Sequence, residues 1–116
     1  MSAGPRRSGA TRRRFRRRTV RLLVDFVAGA RVRCEYATTL GAGGLFIECE
    51  ELLPAGTPIK VRFRLPDGER FHEIEGRVAW SQAPTADATR APGMGVEFTD
   101  AVAIAALARE LEKSER

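Results

Sequence analysis

From Thr19 the chain falls into a period of two: Val20, Leu22, Val24 and Phe26 share one face, and Arg21, Leu23 and Asp25 the other. Successive side chains of a strand point to opposite sides, so this is the pattern of a half-buried strand. Ala28-Gly29 supplies a turn, after which Val32, Cys34 and Tyr36 alternate with Arg31, Arg33 and Glu35 in a second strand, a hairpin signature. Leu40-Gly41-Ala42-Gly43-Gly44 is too rich in glycine to continue that strand and reads as a tight loop needing positive φ, which glycine adopts without steric cost. A third strand resumes through Gly44, Leu45, Phe46, Ile47, Glu48 and Cys49. In the fourth, Ile59, Val61, Phe63 and Leu65 alternate with Lys60, Arg62 and Arg64, between turns at Pro54-Ala55-Gly56-Thr57 and Pro66-Asp67-Gly68-Glu69.

A fifth strand runs from about Phe71 to Trp80, with Ile74, Val78 and Trp80 inward and Glu73, Glu75 and Arg77 outward. Residues 81–92, rich in alanine, proline and threonine, form a loop, and Met94, Val96 and Phe98 make a sixth short strand. Thr99 or Asp100 then caps a helix in which Ile104, Leu107, Ala108 and Leu111 recur at i, i+3, i+4 and i+7, leaving one side to pack on the strands. The expected fold class is all-β: a six-stranded antiparallel barrel with one C-terminal α-helix, because closure removes exposed strand edges.

The 116 residues suit one domain, and 43% hydrophobic content supports a modest core rather than a large enclosed cavity. No apolar run reaches the roughly 20 residues of a membrane-spanning helix, and no signal-peptide core follows the arginine-loaded start, so a cytoplasmic location without membrane insertion is expected. Cys34 and Cys49 lack the paired spacing of a zinc site and lie in apolar strand patterns, which predicts two buried thiols.

Charge changes the picture once it is divided along the chain. Residues 1–18 carry eight arginines and no acid, whereas the remaining 98 residues hold twelve basic and fifteen acidic side chains, a balance of −3. The first segment offers almost nothing to bury, so the expected organisation is a flexible arginine-rich arm over 1–18 and a folded unit over 19–116. The high pI of about 10.2 belongs to the arm, not to a basic folded surface.

Catalytic chemistry finds little to work with. His72, the single histidine, sits on the inward side at the start of a strand, where a packed histidine is expected. Glu73 and Glu75 share an outer strand face, and Glu48, Glu50 and Glu51 form a solvated strand end rather than an acid and base pair. No phosphate-binding glycine motif followed by lysine and no metal-ligand spacing is present, so neither an enzyme nor a resident cofactor is expected.

Four strings nevertheless stand in a suggestive order: Arg13-x-x-x-Arg17 before the first strand, Gly43-Gly44-Leu45-Phe46-Ile47, Gly76-Arg77-Val78-Ala79-Trp80, and Gly93-Met94-Gly95-Val96-Glu97-Phe98. Together they resemble the PilZ domain over about residues 12–110. The resemblance implies a six-stranded barrel with a C-terminal helix, in which cyclic di-GMP, usually as an intercalated dimer, is clamped between arm and barrel. Two family signatures hold it: an RxxxR arm and a DxSxxG turn before the third strand. The arm matches at Arg13 and Arg17, with Arg12/Arg16 and Arg14/Arg18 as alternative frames. The turn departs from the pattern, since Thr39 stands at its aspartate, Gly41 at its serine, and only Gly44 is kept. The implied ligand-binding residues are Arg12, Arg13, Arg17, Arg18, Thr39, Gly41 and Gly44.

Arginine suits this ligand because its planar fork binds a phosphate, or the O6 and N7 edge of guanine, with two parallel hydrogen bonds. An ionised aspartate accepts from guanine N1–H and N2–H₂, and losing that grip costs about 2 to 4 kcal/mol, or roughly 30- to 1000-fold in affinity. Three functions follow. The first is a cyclic di-GMP effector relaying to a protein partner of a motility, exopolysaccharide or transcription pathway, as monomer or dimer. The second is a degenerate module working through protein contacts alone. The third is arm binding to nucleic acid or an anionic membrane, opposed by the acidic remainder and by the lack of aromatic residues beyond Phe15 in the arm.

Overall fold

The alternation described above is realised as strands β1 (Arg18–Ala28), β2 (Arg31–Gly41), β3 (Gly44–Glu48), β4 (Pro58–Phe63), β5 (His72–Gln82) and β6 (Gly93–Phe98), followed by helix α1 (Ala101–Ser114). The computed structural model describes residues 17–86 and 90–114. Every strand pairing is antiparallel, and the order β1-β2-β3-β6-β5-β4 closes on itself through β4 and β1.

Inside lie Leu22, Val24, Phe26, Leu40, Leu45, Ile47, Ile59, Val61, Phe63, Ile74, Val78, Met94, Val96 and Phe98, and Leu107 and Leu111 of α1 close one end. The helix starts where Asp100 Oδ1 accepts a hydrogen bond from the Ala103 amide at 3.2 Å, satisfying a donor that the first turn cannot. Thr99 instead donates its hydroxyl to the Glu75 carbonyl, tying the helix entrance to β5. His72 is buried, as its inward position predicts, and its ring pairs with Glu110 of α1. No described helix is long and apolar enough to cross a membrane.

Three expectations are corrected. Cys34 is exposed, and with it Val32 and Tyr36 lie on the outer face. Residues directly opposite in an antiparallel pair share a face, and buried Phe26 and Val24 stand opposite Arg33 and Glu35. These two charged residues therefore occupy the inner side of the rim, where the Arg33 guanidinium lies 5.0 Å from the Phe26 ring centre and bonds Glu35 at 3.3 Å. An irregularity between Ala37 and Thr39 then shifts the alternation, so that Ala37 and Leu40 both point inward.

Trp80 also faces outward, 43% exposed. Val78 pairs with Val96 but Trp80 pairs with Gly95, so a register shift at Ala79 turns the indole away from the core. The glycine segment, third, does not break β2, which runs to Gly41, and positive φ occurs among the described glycines only at Gly29 and Gly56. Gly44 is required for a different reason: a Cβ there would overlap the Val96 carbonyl oxygen across the β3–β6 pairing.

Candidate functional site

The β2–β3 turn, the outer face of β6 and the first turn of α1 surround an open cleft of about 410 Å³. Its wall is built by register. Glu97 of β6 stands between Gly44 of β3 and Arg77 of β5, and two residues back along the strand, on the same face, Gly95 stands between Phe46 and Trp80. Because β6 alternates, its outward positions are Gly93, Gly95 and Glu97, while Met94, Val96 and Phe98 fill the core.

The two glycines make room for aromatic rings. A Cβ on Gly95 would overlap the Trp80 indole, and one on Gly93 would overlap the Phe46 ring. Phe46 and Trp80 stack with centroids 5.4 Å apart and planes inclined by 26°. Trp80, Ala79, Gly43, Gly44 and Gly41 line the cleft together with Glu97, Ile104 and Arg17.

The sequence-derived candidates divide. Arg17, Gly41 and Gly44 come together in this cleft. Arg18 lines a different groove with Leu40, Leu65, Glu110 and Lys113, and its guanidinium donates to the Leu111 carbonyl at 3.3 Å. Thr39 lines neither, and its Oγ1 is buried with no hydrogen-bond partner among the described residues. Arg12 and Arg13 lie outside the described residues. Sequence reasoning missed Trp80 and Glu97 as cleft residues. Both sit in the strings GRVAW and GMGVEF, but only the strand register shows that they converge.

The electrostatics are mixed. Glu97 Oε1 accepts a hydrogen bond from Arg77 Nε at 3.1 Å and forms an ion pair with its Nη2 at 3.0 Å, while Arg17 brings a positive charge to the same cleft. At the opposite rim, Arg31 pairs with Glu51 and holds its carboxyl below the usual carboxylate range. Burial pushes the Cys49 thiol up, and Asp25, by hydrogen bonding, pushes the exposed Cys34 thiol up. Among the described residues no cluster of three or more His, Cys, Asp or Glu side chains is arranged to hold a metal ion.

Comparison with known proteins meets this geometry. The PilZ domain family model matches residues 11–113. No curated protein sequence matches the chain. Among solved structures, the Bacillus subtilis inhibitor of motility (MotI/DgrA) superimposes with a TM-score of 0.70 at 19% identity, over 87% of this chain and 50% of that one. The chain thus spans half the length of that neighbour. The PilZ domain of CeSA from a cellulose-synthesizing bacterium gives 0.59 at 20% identity, over 84% and 98% of the two chains. The PilZ domain of Escherichia coli YcgR, solved with c-di-GMP, gives 0.56 at 16% identity, over 90% and 98%.

Proposed function

The chain belongs to the PilZ domain family, and from that premise we propose that it is a non-enzymatic, cytoplasmic regulatory module that binds cyclic di-GMP and passes the signal to a protein partner. The observation that carries the reading is the meeting of Arg17 with the Gly41–Gly44 turn in one open cleft. A guanidinium there can fork onto a phosphate or onto the O6 and N7 edge of guanine. Gly44, whose missing Cβ would collide with the Val96 carbonyl, lets the turn lie close against β6 at the cleft wall.

The arginines of the preceding segment, Arg12 and Arg13 among them, add long-range attraction for a dianionic ligand. Ligand capture would draw that segment onto the barrel and change the surface that a partner meets. A motility component is one class of partner, in keeping with the motility-inhibitor neighbour. Isothermal titration of the full chain with cyclic di-GMP is expected to give saturable heat that Arg17→Ala abolishes. If high micromolar dinucleotide produces no heat, the chain works through protein contacts alone.

A further inference from the structure

The family's turn normally places a carboxylate against the donor edge of guanine, and here Thr39 and Gly41 cannot supply it. Thr39 Oγ1 is buried and lines no part of the cleft, and Gly41 has no side chain. We propose that Glu97, reaching the cleft from β6 instead of from the turn, is the acceptor that reads guanine in this chain. The inference rests on the cyclic dinucleotide reading above and adds to it the residue that sets base specificity.

Glu97 is the single acid among the residues lining the cleft, and the register sets it directly opposite Gly44, the one residue of the turn motif that is kept. Arg77 holds its carboxylate from the far side, with both guanidinium contacts made to Oε1. Oε2 has no hydrogen-bond partner among the described residues. A carboxylate has about four lone-pair sites, so both oxygens keep acceptor capacity for N1–H and N2–H₂ of guanine. Adenine presents an acceptor at N1 and would set a lone pair against the carboxylate. Arg77 acts as a positioning residue, and Trp80 gives the base a flat surface beside the acceptor. Stacking on Trp80 is indifferent to which purine is bound, so the two residues have separable effects.

The test measures dissociation constants of cyclic di-GMP and cyclic di-AMP for the full-length wild type, Glu97→Gln and Trp80→Ala, each first shown to unfold at the same temperature as wild type without ligand. Glu97→Gln keeps the size of the side chain and loses the charge. It should weaken cyclic di-GMP about 10- to 100-fold while leaving cyclic di-AMP no weaker, because the repulsion of adenine N1 is relieved, collapsing the guanine preference. Trp80→Ala should weaken both dinucleotides by a similar factor, about tenfold. A Glu97→Gln protein that still prefers guanine as strongly as wild type overturns the role of Glu97 while the dinucleotide reading stands. A wild type silent to both dinucleotides removes that reading and the inference with it.

Discussion

At Gly44 a single hydrogen atom separates the observed barrel from a steric collision. A methyl group there would meet the Val96 carbonyl oxygen, which belongs to backbone and cannot swing aside. Gly44→Ala should therefore destabilise the fold by roughly 1 to 3 kcal/mol, an overpacking cost readable in urea unfolding. The two cysteines give a second prediction. In native protein a thiol reagent should label Cys34 and spare Cys49, and unfolding should release the second thiol. Asp25 pushes the Cys34 thiol up, so Asp25→Asn should increase its thiolate fraction and speed labelling near pH 8. The exposure of Cys34 was legible in principle. A two-residue turn makes the numbers of paired residues sum to an odd value, so inward Val24 and Phe26 require odd-numbered partners, Glu35 and Arg33. Apolar character at Val32, Cys34 and Tyr36 masked that constraint.

Elements whose boundaries follow from periodicity alone could be read directly. The helix is the clearest case: Leu107 and Leu111 are buried, Ile104 and Ala108 half-buried, as the i, i+3, i+4, i+7 spacing requires. Leu107→Ala should cost about 2 to 5 kcal/mol through the lost burial and the cavity left behind, against about 1 kcal/mol for Asp100→Ala at the cap. Thermal or chemical denaturation of the two variants checks the ranking. Register shifts were not legible. One extra residue at Ala79 turns Trp80 from core to cleft, and nothing in the string GRVAW marks the insertion, because its glycine lies at 76. Pairing partners on β6 decide it, since Val96 points inward and Gly95 outward.

For the whole molecule, strand count and antiparallel closure followed from alternation and turn chemistry, whereas the cleft depends on which strands become neighbours. β3 and β5 are separated by 23 residues between Glu48 and His72, yet they flank β6 and bring Gly44, Trp80 and Glu97 together. That placement, with Arg17 at the entry to β1, gathers residues that are unremarkable singly around one cleft. Trp80 is the only tryptophan in the chain, so its indole N–H gives one isolated nuclear magnetic resonance signal. The most direct measurement is a cyclic di-GMP titration followed by that signal and by the amides of Gly41, Gly44 and Glu97. All four should shift together and saturate, while residues of the groove around Leu65 and Lys113 stay in place. Shifts centred on that other groove, or none at high micromolar ligand, would contradict the account.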